Sequence, residues 1–147
     1  MAQRRAEATW EGNLTEGQGT IDSVGSGVLS GLPVSWRART EDGDSQTSPE
    51  ELLAAAEAAC FSMACSNELN KAGYPPTRVQ TRAVCTFDKK PEGGWKVGSM
   101  TLDVRGTVAN IDPAEFERIA QAAAQSCPIS TALKGNVAIH ITARLEG

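Results

Sequence analysis

The sequence predicts an α+β domain in which largely antiparallel strands pack around one long helix. Three observations support this fold class: an apolar helical segment over residues 48–73, alternating segments on both sides of it, and a second helical segment broken by a proline. Strands and helices that follow one another in this order are typical of α+β domains. With 147 residues, of which 40% are hydrophobic, the chain is long enough for one core, so we expect a single domain over residues 1–147.

The long helix has clear start and stop signals. Ser48 is a capping residue, Pro49 suits the first helical position, and the carboxylate of Glu51 is placed to reach back to the cap. Gly73 tolerates the left-handed conformation that ends a helix, and two prolines follow within three residues. These signals predict a helix between residues 48 and 73.

This helix is apolar on almost every side. One face carries residues at helical spacing, namely Leu53, Ala56, Cys60, Met63, Ala64 and Asn67. The opposite side carries alanines and little charge, which is the pattern of a buried helix. Because residues 58–67 include no charged side chain, we expect Cys60 to lie in the interior.

Strand signals precede the helix. Alternation over residues 6–10, followed by turn residues, predicts a hairpin over residues 6–24. Residues 34–39 alternate again and predict a third strand with Val34, Trp36 and Ala38 on one face. A polar loop over residues 40–47 is expected to lead into the helix.

A second hairpin is predicted after the helix. Residues 79–87 form its first strand, residues 90–94 its loop, and the partner strand begins at Trp95. The inward residues expected on the first strand are Val79, Ala83, Cys85 and Phe87. The alternation changes phase before Met100, so we expect a β-bulge near Gly98 and Ser99.

The last part of the chain predicts a broken helix and a final strand. Asp112 begins a second capping pattern, and apolar residues follow at helical spacing, namely Phe116, Ile119, Ala120, Ala123 and Cys127. Pro128 disfavours helical backbone at the residue before it, so the helix is expected to break at Cys127 and to restart as a short turn over residues 129–134. Residues 137–145 alternate as the last strand.

Composition excludes several classes of function. A net charge of -4 and a pI near 5.0 provide no basic surface, so we expect no nucleic-acid partner. The N-terminal residues lead into no apolar run, so we expect no signal peptide, no membrane span and a cytoplasmic location in which thiols are reduced. The chain lacks C-x-x-C pairs and its only histidine is His140, so we expect no metal site, and His140 is interpreted as an ordinary surface residue.

Cys60 and Cys127 are the candidate reactive residues. Cys127 is expected at a helix start, where backbone N–H groups lower the pKa of a nearby thiol. Cys65 lies about 140° round the helix from Cys60, which is poor geometry for a bond between them, and it is interpreted with Cys85 as a small core residue. Spacing alone leaves open whether Cys60 and Cys127 form a redox pair or only pack.

Five segments resemble those of one protein family. The chain is similar to the osmotically inducible branch of the OsmC/Ohr family of thiol-dependent peroxidases at residues 10–12 (WEG), 26–29 (SGVL), 49–52 (PEEL), 58–64 (AACFSMA) and 127–130 (CPIS). Residues 134–137 (KGNV) resemble the Ohr branch. The resemblance implies an intertwined homodimer with the long helices at its centre and an active site at the subunit interface.

The resemblance also implies roles for individual residues. Cys60 matches the peroxidatic cysteine of the family and Cys127 the resolving cysteine. Arg39 matches the arginine that holds the thiolate, and Glu50 the carboxylate that orients this arginine. The alternatives for these two roles are Arg37 and Glu51, and the candidates for an apolar substrate pocket are Phe61 and Met63, either of which would otherwise be a core residue.

The implied reaction is the reduction of organic hydroperoxides to alcohols, in defence against oxidative and osmotic stress. Cys60 becomes a sulfenic acid, condenses with Cys127 to a disulfide and is recycled by an external dithiol of the lipoyl type, so no bound cofactor is expected. Two other readings remain open. One is a non-catalytic dimer that binds a small ligand or has a structural role, and the other is a general disulfide-exchange protein, which the lack of a C-x-x-C pair disfavours.

Overall fold

The computed structural model describes residues 1–41 and 45–146, and the chain forms two compact units, Met1–Leu52 and Leu53–Gly147. The single domain expected from the length stays a prediction. The elements in chain order are β1 (Ala6–Glu11), β2 (Gln18–Val24), β3 (Ser30–Val34), α1 (Trp36–Thr40), α2 (Pro49–Lys71), β4 (Pro76–Lys89), β5 (Trp95–Val108), α3 (Pro113–Ala123), α4 (Pro128–Leu133) and β6 (Ala138–Leu145).

The first unit contains a three-stranded antiparallel sheet in the order β1-β2-β3. The predicted hairpin over residues 6–24 is confirmed, with a register shift between Glu7 and Ala8. Residues 42–44 of the predicted polar loop lie outside the described part of the chain.

The predicted strand over residues 34–39 is wrong. Strand β3 ends at Val34, and the hydroxyl of Ser35 accepts a hydrogen bond from the Ala38 N–H at 3.0 Å, which caps helix α1. Six alternating residues are too few to outweigh a local cap, and Trp36 and Ala38 therefore lie on a helix. The helix places both candidate arginines, Arg37 and Arg39, in its last turn.

The second unit contains a three-stranded sheet in the order β4-β5-β6. Strands β4 and β5 are antiparallel, and Thr86 pairs with Ser99 while Phe87 pairs with Val97, so Gly98 is the extra residue of the predicted bulge. Strands β5 and β6 are parallel, because α3 and α4 lie between them in the chain and provide the crossover that a parallel pair needs. The α+β class is confirmed, with one parallel pair among the antiparallel ones.

The core lies in the second unit. Strand β5 contributes Met100, Leu102, Val104 and Val108, and helix α3 contributes the apolar residues predicted at helical spacing, namely Phe116, Ile119, Ala120 and Ala123. Asp112 caps α3 by accepting a hydrogen bond from the Ala114 N–H at 2.7 Å, and α4 begins after Cys127, as expected.

Helix α2 begins and ends as predicted, but its buried face differs from the predicted one. Ser48 accepts a hydrogen bond from the Glu51 N–H at 3.1 Å, and Gly73 adopts a φ of 91° just after the helix. The fully buried stripe consists of Glu57, Phe61, Cys65 and Leu69, whereas Ala56, Met63 and Asn67 are exposed. Alanines on all sides give a helix no preferred face, so the large side chains of Phe61 and Leu69 decide which face is buried.

Candidate active site

The structure brings Cys60 and Cys127 together. Cys60 lies in the middle of α2 and is half-buried, and Cys127 is buried at the residue that precedes α4. Cys127 lies close enough to the Cys60 thiol to raise its pKa, and both thiols are free. Two thiols this close can join in a disulfide after one of them is oxidised.

The surroundings of Cys60 act on its pKa in opposite directions. Burial is the largest effect and raises the pKa of the Cys60 thiol, because an anion is less stable away from water. The backbone N–H of Ile129 lowers the pKa of Cys60 by donating a hydrogen bond, and the nearby Cys127 and Glu57 raise it. The start of α4 therefore acts on Cys60 through the Ile129 N–H.

Glu57 is the site residue that sequence reasoning missed. Its side chain is fully buried, and its Oε1 accepts hydrogen bonds from the Ser130 hydroxyl and, at 3.8 Å, from the Cys127 thiol. The sequence feature that could have identified Glu57 is its position as a lone carboxylate three residues before Cys60 in an alanine-rich segment. Residues at this spacing share one face of a helix, which would have placed Glu57 beside Cys60.

Arg39 and Glu50 form a second pair, within the first unit. Arg39 donates through Nη2 to Glu50 Oε1 at 2.7 Å, and its Nε lies 3.2 and 3.1 Å from the two carboxylate oxygens. This forked contact fixes the plane of the guanidinium. The Glu50 side chain is buried, whereas the Arg39 side chain is partly exposed. The guanidinium also lies 5.7 Å from the centre of the Trp36 ring, within range of a cation–π contact.

The two alternatives for these roles have other partners. Arg37 pairs with Glu41 at 2.8 Å on the exposed side of α1. The Glu51 carboxylate accepts a hydrogen bond from the Thr47 hydroxyl at 2.7 Å, whereas the sequence predicted that it would reach back to Ser48.

An open cavity of about 440 Å³ lies in the first unit beside Arg39. Its walls are mostly apolar and include two tryptophans, and its lining residues are Trp10, Gly12, Leu14, Val34, Ser35, Trp36, Arg39 and Pro49. An apolar cavity with one cationic group at its edge suits a ligand that has an apolar body and a polar end.

The remaining candidates lie in other environments. Phe61 is fully buried in the core, and Met63 is 74% exposed on the same helix. Burial in the core raises the pKa of the Cys65 thiol to about 11, so Cys65 is almost entirely protonated near neutral pH. Cys85 is half-buried on β4, and His140 is exposed on β6.

The structure offers no metal-binding cluster of three or more His, Cys, Asp or Glu side chains within residues 1–41 and 45–146. No helix in this described part of the chain is long and apolar enough to cross a membrane.

Comparison with known proteins assigns the chain to a family. The sequence model of the family described as OsmC-like protein matches residues 41–142. The chain also shares 40% identity over 136 residues with peroxiredoxin OsmC of Escherichia coli, an alignment that covers 92% of this chain and 93% of that relative. The chain therefore belongs to the OsmC-like family, as its motifs indicated.

The Ohr branch is also similar to this chain. The organic hydroperoxide resistance protein OhrB of Bacillus subtilis is 30% identical over 101 residues, which cover 69% of this chain and 72% of the relative. The crystal structure of the same relative superimposes with a TM-score of 0.74 at 26% identity, covering 95% of this chain and 98% of the other. The structure and the sequence thus point to one family.

Proposed function

We propose that this protein is a thiol-dependent peroxidase that reduces organic hydroperoxides and serves in defence against oxidative and osmotic stress. The observation that carries the proposal is the proximity of two free thiols, Cys60 and Cys127. The relatives named peroxiredoxin OsmC and organic hydroperoxide resistance protein OhrB support the same activity.

The first step oxidises Cys60. Its thiolate attacks the outer oxygen of the hydroperoxide, the O–O bond breaks, and the departing alkoxide takes a proton to become an alcohol. Cys60 then carries a sulfenic acid. Cys60 suits this role better than Cys65, because it is half-buried and accepts the Ile129 N–H, whereas Cys65 is fully buried with a pKa raised to about 11.

Arg39 and Glu50 are proposed to hold the thiolate and to orient the arginine, respectively. A guanidinium near a thiolate lowers the thiol pKa and offsets the effect of burial. The forked contact between Arg39 and Glu50 supports these roles, since it presents the guanidinium in one fixed orientation. Arg37 suits the role less well because it pairs with Glu41 on the exposed side of α1.

The second step closes a disulfide between Cys60 and Cys127 and releases water, and an external dithiol then reopens it. The proposed reductant is a dithiol of the lipoyl type, so the reaction needs no bound cofactor. The proximity of the two side chains supports disulfide formation without a large movement of the chain.

The proposed substrate is an organic hydroperoxide, favoured over hydrogen peroxide, as the resemblance to the family implies. The pocket role of Phe61 and Met63 stays a prediction.

The proposed assembly is a homodimer in the cytoplasm, with no nucleic-acid partner. Helix α2 supports the dimer because one of its faces is apolar and exposed, with Ala55, Ala56, Ala59 and Met63 on it. Small side chains on such a face permit a second helix to approach closely. The net charge of -4 supports the absence of a nucleic-acid partner.

The test is hydroperoxide consumption by the Cys60→Ser variant. With cumene hydroperoxide and a dithiol reductant, wild-type protein is expected to consume the peroxide, and Cys60→Ser to lose consumption while it keeps a native circular dichroism spectrum. Cys85→Ala is the matched control and is expected to retain activity. Equal consumption by wild type and Cys60→Ser would favour the non-catalytic reading, and faster reduction of protein disulfides than of peroxide would favour disulfide exchange.

A further inference from the structure

We propose that Glu57 is the proton acceptor for the resolving thiol, Cys127, in the step that closes the Cys60–Cys127 disulfide. This inference rests on the proposed function, because it assigns a role within that reaction. It is carried by a buried cluster, made of Glu57, Cys127 and Ser130, in which a carboxylate contacts a reacting thiol.

The geometry of the cluster directs the carboxylate at Cys127. The Cys127 Sγ lies 3.8 Å from Glu57 Oε1 and donates its hydrogen to that oxygen. The Ser130 hydroxyl donates to the same oxygen and so holds it in place. Cys127 and Ser130 lie three residues apart at the start of α4, and both therefore face Glu57 on α2.

The burial of Glu57 lowers the stability of the fold, which a purely structural role for this carboxylate would not explain. Glu57 and Cys127 are both 0% exposed, and Ser130 is 2% exposed. Glu57 Oε2 is also buried and has no hydrogen-bond partner among residues 1–41 and 45–146. A buried carboxylate oxygen without a partner destabilises a fold, and an apolar residue at this core position would avoid that cost. Transfer of a proton from the Cys127 thiol to Glu57 explains why a carboxylate occupies this buried position.

The step balances without an added reagent. The Cys127 S–H bond breaks, its proton passes to Glu57 Oε1, and the sulfur electron pair attacks the sulfur of the Cys60 sulfenic acid. The S–O bond of the sulfenic acid breaks and its electron pair leaves as hydroxide. The Glu57 carboxylic acid returns the proton to this hydroxide, so the products are a disulfide, water and the original carboxylate.

Glu57 is placed to serve both ends of this step. It precedes Cys60 by three residues on α2, so the two side chains share a helix face. Its charge raises the pKa of Cys60, which shows that the carboxylate acts on the peroxidatic sulfur and opposes thiolate formation there. The inference therefore predicts opposite effects on the two steps when the charge is removed.

The experiment measures the two steps separately in Glu57→Gln. Reduced protein is mixed rapidly with one equivalent of cumene hydroperoxide and quenched at intervals, and mass spectrometry quantifies the Cys60 sulfenic acid, trapped with dimedone, and the Cys60–Cys127 disulfide. In Glu57→Gln, sulfenic acid is expected to form at least as fast as in wild type, whereas disulfide formation slows by roughly 100-fold, the usual contribution of an acid or base catalyst. Glutamine keeps the shape and an acceptor oxygen but cannot take a proton at neutral pH.

Two further variants make the result specific. Glu117→Gln changes an exposed carboxylate on α3 and is expected to leave both steps unchanged. Glu57→Asp keeps a proton acceptor at a greater distance and is expected to close the disulfide faster than Glu57→Gln but more slowly than wild type. If Glu57→Gln does not fold, Glu57→Asp decides alone: a slowed second step supports the inference, and a wild-type rate overturns it.

The outcomes separate this inference from the proposed function. Disulfide formation at the wild-type rate in Glu57→Gln would overturn the role of Glu57 and leave the peroxidase intact. Wild-type protein that forms no sulfenic acid would overturn the proposed function itself. A D2O solvent effect on disulfide formation in wild type that vanishes in Glu57→Gln would support proton transfer, since a merely structural role would leave it unchanged.

Discussion

At the scale of single residues, the reactivity of Cys60 depends on how its thiolate is stabilised. Within the second unit, burial raises the pKa of Cys60, and the hydrogen bond from the Ile129 N–H lowers it. A thiol with a raised pKa is mostly protonated near neutral pH and is a weak nucleophile. The family arginine, proposed here to be Arg39, is therefore the group expected to make Cys60 reactive.

Replacing Arg39 is expected to move the pH profile of Cys60 upward. Loss of the positive charge in Arg39→Gln removes the effect that lowers the thiol pKa, so alkylation of Cys60 by iodoacetamide at pH 7 is expected to slow by roughly tenfold or more. The measurement is the rate of Cys60 alkylation against pH, read by peptide mass spectrometry.

A second arginine gives the control for that profile. Arg118→Gln removes an exposed charge that pairs with Glu115 on α3, and no change in the Cys60 profile is expected. If Arg37→Gln shifts the pH profile of Cys60 alkylation upward and Arg39→Gln does not, Arg37 rather than Arg39 stabilises the thiolate.

The sequence was sufficient to find the two cysteines but not Glu57. Cys60 and Cys127 stand out because an uncharged helical segment and a proline break are local features of the chain. The role of Glu57 depends on Cys127 and Ser130, which are 70 and 73 residues away in sequence. A carboxylate in an alanine-rich helix is ordinary on a surface, and only the fold shows that this one is buried.

At the scale of helices and strands, the predicted helix ends were confirmed because local hydrogen bonds determine them. The caps at Ser48 and Asp112 and the left-handed Gly73 act within one helical turn, so the sequence specifies them directly. The face of α2 was predicted wrongly because alanines pack equally well in any direction. The strand over residues 34–39 failed because the Ser35 cap competes with a short alternating pattern.

Packing between β5 and α3 gives a prediction at this scale. Gly106 on β5 is buried, and a Cβ at this position would clash with the ring of Phe116 on α3. Gly106→Ala is therefore expected to lower the free energy of unfolding by about 1–3 kcal/mol, as overpacked cores do. Urea denaturation followed by circular dichroism measures the change.

Gly98 on the same strand is the matched control. A Cβ there would meet only ordinary contacts with Lys96 and Asp88, so Gly98→Ala is expected to change the free energy of unfolding by less than about 0.5 kcal/mol. Equal stability of the two variants would contradict the close approach of β5 and α3.

At the scale of the whole molecule, the exposed apolar face of α2 points to a second copy of the chain. Light scattering is expected to give twice the 15.5 kDa mass of one chain.

Ala59→Glu places a charge on the exposed apolar face of α2 and is expected to yield monomers, because a buried unpaired charge destabilises an interface. Ala122→Glu, on the exposed side of α3, is the control and is expected to remain dimeric. A wild-type mass of one chain would contradict the proposed dimer.

Oxidation of the reduced protein by peroxide shows whether Cys60 and Cys127 form the redox pair. Reduced protein is treated with one equivalent of cumene hydroperoxide, and its cysteines are mapped by peptide mass spectrometry. A Cys60–Cys127 disulfide is expected, with Cys65 and Cys85 still free. Four unmodified thiols would contradict it and would leave the two cysteines as packing residues.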